Sequence, residues 1–248
     1  MSEGLESVQR AIAPEPISPR TRRQIMGATA AVVGGMGLLG MLEGEAKAAG
    51  NNDTQTILNV AATAEVLATI VNTVGALLPG LVRDAVTKRN IAAAAQQELA
   101  HYNTLVGLGG VPLTKKIWVP NEVFASQTNL LKTLVAGDQI FINAYLIGVG
   151  AFAKADPKLA AVPAEFMGVE AVHRALALQS LGKLGNDRIY MRVEFFDILD
   201  AVAQLKAAGF GFGTRGSKPG RLFDFDAIKR FTPTVAGVNT PNITPIDA

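Results

Sequence analysis

Along most of this chain after residue 53, apolar residues recur at three- and four-residue intervals, the period of a helix with one buried face. Asp53 and Thr54 can cap a first helix through Ile57, Leu58, Ala61, Ala64, Glu65, Ala68 and Val71, and Pro79-Gly80 ends it. A second helix starts near Leu81 to Asp84 and carries Ile91, Ala94, Ala95, Glu98, His101, Tyr102 and Leu105. Gly107, Gly109 and Gly110 stop it. Val111 to Pro120 holds two prolines and the single tryptophan, Trp118, and is too long for a tight turn. It reads as a long crossover between helices two and three. Asn121 can cap a third helix over roughly Glu122 to Ala153. Asp156-Pro157 supplies cap and first helical residue for a fourth, with Phe166, Val169, Glu170, His173 and Leu176 before the stop at Gly182 to Gly185. Pro163 marks a kink or a restart in it. A fifth follows Asn186 through Ile189, Val193, Phe196, Leu199, Val202 and Leu205 to Gly209. No stretch reads as strand, so the expected fold is all-α.

The pattern changes at both ends. Residues 209–248 are rich in Gly, Pro and Thr, with Phe210, Phe212, Phe223, Phe225 and Phe231 at intervals. An irregular tail is expected, draped over the helices by its phenylalanines. Gly211 to Gly216 matches G-x-G-x-x-G, but it follows a helix with no βαβ unit around it, so a dinucleotide site is excluded. At the other end, Arg22-Arg23 precedes an apolar, Gly- and Ala-rich stretch from Met26 to Leu42, and then the small-x-small site Ala46-Lys47-Ala48. This resembles a bacterial twin-arginine export signal, which would make the export machinery a partner and the periplasm, or another exported location, the destination. The alternative is an uncleaved membrane tether, for which this apolar stretch is at the lower limit of length. Three regions result: a signal peptide over 1–48, a helical body over 49–208 and a tail over 209–248.

Composition sharpens this picture in two ways. The absence of cysteine removes disulfides, thiolate metal sites and cysteine nucleophiles. The net charge of +2 implies no nucleic-acid surface. Residues 1–48 hold five of the 23 basic and five of the 21 acidic residues, so removing them leaves the charge unchanged.

The chemistry lies in the two histidines, each three residues after a glutamate: Glu98-Leu-Ala-His101 and Glu170-Ala-Val-His173. At this spacing two helical side chains share one face and can hold one ion. Helix one has one central acid, Glu65. Helix three has Asp138, because Glu122 lies sixteen residues earlier, about 24 Å away along a helix at ~1.5 Å per residue. Glu65 and Glu170 sit among apolar neighbours, where a lone carboxylate needs a counter-charge or a metal. Glu65, Glu98, His101, Asp138, Glu170 and His173 form the candidate ligand set. Four carboxylates can neutralise two divalent ions while two imidazoles cap one each. Each Glu-x-x-His pair is assigned to one metal, with Glu65 and Asp138 terminal or bridging.

Asp53-x-x-x-Ile57-Leu58-Asn59-x5-Glu65, Gln97-Glu98-Leu99-Ala100-His101 and Val169-Glu170-Ala171-Val172-His173 resemble helices one, two and four of ferritin-like proteins. Together they resemble the bacterial exported ferritin-like domain family, which is similar to plant desiccation-related proteins. The resemblance covers roughly residues 53–183. It implies a ferritin-like four-helix bundle with a site for two iron ions, or manganese, and oxygen or peroxide redox chemistry. It also implies an alternative, a scaffold linked to stress or desiccation with a vestigial or metal-free site. No catalytic residue is assigned. A homo-oligomer is compatible with either reading, whereas the export signal and long tail disfavour a many-subunit cage. One position departs from the family's pattern: Asp138 stands where Glu is usual, and its shorter reach puts bridging in doubt. Tyr145, two turns on, reads as a core tyrosine with a hydrogen-bonded hydroxyl, and Tyr102 likewise.

Overall fold

The computed structural model describes residues 52–239 and 241, so the export-signal reading of residues 1–48 lies outside the described residues. Four long helices form the body: α1 (Thr54–Leu77), α2 (Ala85–Gly107), α3 (Gln127–Ala155) and α4 (Ala161–Ser180). Carboxylates cap the first two, Asp53 accepting the Thr56 N–H at 3.0 Å and Asp84 that of Thr87 at 2.6 Å. α1 packs on α2 and α3 on α4, and the two pairs meet through α1 against α3 and α2 against α4. The body is therefore a helical bundle. α1 is apolar nearly all round because it is enclosed on every side, as a central helix must be.

Three expectations are corrected. The third helix begins at Gln127 rather than Glu122. Ser126 is its cap, accepting the Asn129 N–H at 3.1 Å, while residues Asn121–Phe124 form a separate 3₁₀ turn. Asp156-Pro157 opens another such turn, Pro157–Ala160, and α4 restarts at Ala161 with Pro163 in its first turn, where no N–H is needed. The fifth helix, α5, spans only Ile198–Ala207. Residues 186–197 are an extended strap instead. The buried Asn143 amide holds its backbone, donating to the Phe195 carbonyl at 2.9 Å and accepting the Glu194 N–H. Several apolar residues of that segment point outward, with Ile189 65% and Phe196 78% exposed, while Phe195 is buried. A backbone bonded to Asn143 cannot also close helical turns.

The expectation of no strand also fails. The crossover contains β1 (Lys116–Pro120), flanked by β2 (Gly211–Phe212) and β3 (Gly220–Asp224) in an antiparallel sheet of order β2-β1-β3. Trp118 stands opposite Gly211 on one side and Leu222 on the other. The tail is thus ordered over much of its length, continuing into a short helix, α6 (Phe225–Ile228). Phe210, Phe212, Phe223 and Phe225 are buried, so the phenylalanines do anchor it. The G-x-G-x-x-G stretch has a steric origin. A Cβ on Gly211 would lie 2.2 Å from the Thr214 carbonyl oxygen, and one on Gly216 2.0 Å from that of Gly209. Only glycine allows this tight loop beside Trp118.

Candidate metal centre

The four long helices each bring one acid to the middle of the bundle, and α2 and α4 add a histidine one turn later. Glu65, Glu98 and Glu170 are 0% exposed, His101 1%, Asp138 5% and His173 9%. All six candidate ligands come together. They form two groups, Glu65/Glu98/His101/Glu170 and Glu98/Asp138/Glu170/His173, in each of which one ligand atom per residue lies within 4.8 Å of the others. Ligands about 2.0–2.2 Å from one ion are separated by at most ~4.4 Å, so each group can close on an ion with shifts of a few tenths of an ångström.

Glu98 and Glu170 belong to both groups, and their two oxygens divide between them. His101 Nδ1 lies 3.3 Å from Glu98 Oε2 and 3.3 Å from Glu170 Oε1. His173 Nδ1 lies 3.2 Å from Glu98 Oε1 and 3.4 Å from Glu170 Oε2. Glu65 Oε1 completes the first group, 3.6 Å from His101 Nδ1. Each Glu-x-x-His pair lies within one group, Glu98 with His101 and Glu170 with His173, and each glutamate also belongs to the other group. The two histidines fall in separate groups. Glu65 belongs to the first group alone and Asp138 to the second alone.

Eight buried atoms here make no well-directed hydrogen bond, although the histidine nitrogens lie within ion-pair distance of the Glu98 and Glu170 oxygens: one oxygen each of Glu65 and Asp138, both oxygens of Glu98 and Glu170, and Nδ1 of both histidines. Leaving that many polar atoms unsatisfied in a core is expensive, and all eight are suitable metal donors. This buried Glu/His cluster can hold a metal ion. Oxygen and imidazole donors without thiolate suit iron, manganese or zinc.

Surrounding residues orient the ligands. His173 Nε2 sits 2.8 Å from Gln97 Oε1, which fixes the proton on Nε2 and turns Nδ1 inward. The Tyr145 hydroxyl donates to Glu65 Oε1. Phe166 stacks on His101 at 4.0 Å between ring centroids and meets Tyr145 edge-on. Buried Arg174 beside His173 is clamped by Asp187, with contacts of 2.8 and 3.2 Å. Tyr102 packs on Phe225, away from the centre.

Electrostatics follow from burial and like charge. Burial and the neighbouring Glu98 push Glu65 well above the ordinary carboxyl range, and burial with Glu170 does the same to Asp138. Burial acts on Glu98 too, but the imidazoles of His173 and His101 outweigh it and hold it low. Burial disfavours charge on the histidines, yet the surrounding carboxylates raise both well above their usual value. Burial and Glu65 keep the Tyr145 phenol protonated far above its normal range, as a donor must be.

The frame repeats within the chain. Glu65 precedes Glu98 by 33 residues and Asp138 precedes Glu170 by 32, each glutamate being followed by its histidine. Seven residues after the terminal acid stands Tyr145 on α3 and Asn72 on α1. Tyr145 secures Glu65, but Asn72 donates to the Ala68 carbonyl of its own helix at 3.1 Å and its oxygen is left without a partner. The two halves of the centre are therefore unequal. Sequence reasoning missed Gln97, Asn72, Arg174 and Asp187. Gln97 beside Glu98 and the seven-residue offset of Asn72 were the available signals, whereas Arg174–Asp187 had none. Compared with known proteins, the chain matches no family model, no curated protein and no solved structure, so the reading of this centre rests on its own geometry.

Proposed function

We propose that this chain is a ferritin-like protein that holds two iron or manganese ions between Glu65, Glu98, His101, Asp138, Glu170 and His173. The observation that carries the reading is the sharing of Glu98 and Glu170 between two four-residue groups. With both imidazoles neutral and all four carboxylates ionised, the ligand set carries four negative charges, which match two divalent ions. Such a pair, when bound, supplies two-electron redox chemistry toward oxygen or peroxide. The protein's own contribution is to hold and enclose. Glu98 and Glu170 present one oxygen to each position, Gln97 and Tyr145 fix His173 and Glu65, and Phe166 keeps water from His101. Export by the twin-arginine route, supported by Arg22-Arg23 and the apolar stretch after it, would deliver the folded, loaded protein to the periplasm.

The test is anaerobic loading with Fe(II) followed by admission of oxygen. The proposal expects iron oxidation faster than in buffer, with the gain lost in Glu98→Ala. Bound iron that oxidises no faster than free iron would remove the redox part. A second reading, a scaffold with a vestigial site, is favoured by one observation: both histidines face carboxylates at 3.2–3.4 Å, so imidazolium pairing can neutralise the core without metal. It expects the double variant His101→Ala/His173→Ala to lose stability while the wild-type protein is indifferent to added metal.

A further inference from the structure

The two ends of the centre differ in what surrounds them. At the Glu65 end, Tyr145 and Phe166 close the space. At the Asp138 end, a cavity of about 230 Å³ opens between α1, α3, α5 and Phe210. Its walls are apolar, with Leu67, Val71, Phe141 and Leu205 among them. Asp138 and Asn72 also line it, and the exposed Glu122–Lys218 ion pair, 2.5 Å apart, lies at its outer side. A second, smaller cavity also reaches Asp138, Asn72 and His173. Two polar atoms in this region are buried and without partners: Asn72 Oδ1, on a residue 2% exposed, and Asp138 Oδ2. Both are acceptors.

An apolar chamber with an unpaired amide oxygen at its end is the complement of an apolar molecule ending in a donor. A cavity of about 150 Å³ accommodates benzene, so this one takes a molecule of roughly ten non-hydrogen atoms. We propose that the chamber between α1, α3 and α5 binds a small apolar molecule with a hydroxyl or N–H group, and seats that group on Asn72 beside the Asp138 position. This deepens the metal-centre reading by giving its open end a substrate class, and rests on that reading only for the substrate role. Binding itself needs no metal.

The test uses the full chain, freed of metal by chelation, with 1-octanol as probe and octyl methyl ether as its donor-free counterpart. Calorimetry should show one octanol site per chain with a dissociation constant below about 1 mM, and weaker binding of the ether. Gly137 lines the chamber, and a Cβ there would meet no atom within 4 Å. The Gly137→Leu side chain therefore starts into open space, and leucine is the better helix former. That variant should bind octanol at least tenfold more weakly while its Tm is kept or raised. Asn72→Leu should erase the preference for octanol over the ether. No saturable octanol binding, or binding unaffected by Gly137→Leu, would overturn the proposal. Metal content is measured on separate samples. A chain that binds octanol but no metal loses the metal reading alone, and one that binds metal but no octanol loses this one alone.

Discussion

Asp138 is one methylene shorter than the glutamates beside it, and its place at one end of the cluster decides what that means. A terminal ligand needs to reach one ion only. Asp138→Ala should therefore remove one of two bound metals and leave the Glu65/Glu98/His101/Glu170 position filled, whereas Glu98→Ala should remove both; elemental analysis after dialysis checks this. A second expectation follows from charge. Metal binding requires neutral imidazoles and ionised carboxylates. In the metal-free protein His101, His173, Glu65 and Asp138 all have pKa values raised above their ordinary range. Each holds its proton to higher pH than a free side chain would, and the ion must displace it. Affinity should therefore climb steadily from pH 6 to pH 8, with protons released on binding, as calorimetry in buffers of different ionisation enthalpy would register. An affinity flat across that interval would contradict it. At this scale the sequence was legible. Two Glu-x-x-His frames and two lone central acids pointed to six residues that the fold brings together. Which carboxylates are shared was not legible, because both oxygens of Glu98 and Glu170 are assigned only by how the helices cross.

The helices were legible for a different reason. Asp53, Asp84 and the 3.6-residue period are local signals, and α1 and α2 obey them. Elements that depend on distant partners were not. β1 is five residues ending in Pro120, and its partners lie about a hundred residues away in a glycine-rich tail. Its Ile117-Trp118-Val119 preference for strand was hidden by the flanking prolines. The strap over 186–197 misled because its apolar residues have helical spacing, while Asn143 decides its path. Replacing Asn143 by Ala leaves the Phe195 carbonyl and the Glu194 N–H without these partners. At about 1 kcal/mol per bond, a loss of about 2 kcal/mol is expected in denaturant unfolding. Amide exchange should quicken around Glu194, while exchange in the middle of α1 should change no more than the global loss requires. Unaltered exchange at Glu194 would show that the strap is held by something else.

For the whole molecule, four buried carboxylates make the bundle's middle its weakest part unless they are compensated. Ions bound to the folded chain and not to the unfolded one stabilise by mass action. Adding Mn(II) or Fe(II) should raise Tm, chelation should lower it, and the metal-dependent part should vanish in Glu98→Ala. The central claim is that the two four-residue groups are two ion positions joined by Glu98 and Glu170. The most direct test is anaerobic titration of the chelated full chain with Fe(II) or Mn(II), reading bound ions per chain. The account predicts two in the wild-type protein, one in Asp138→Ala and none in Glu98→Ala. Folded wild-type protein that takes up neither ion, or a Glu98→Ala variant that still binds two, would contradict it.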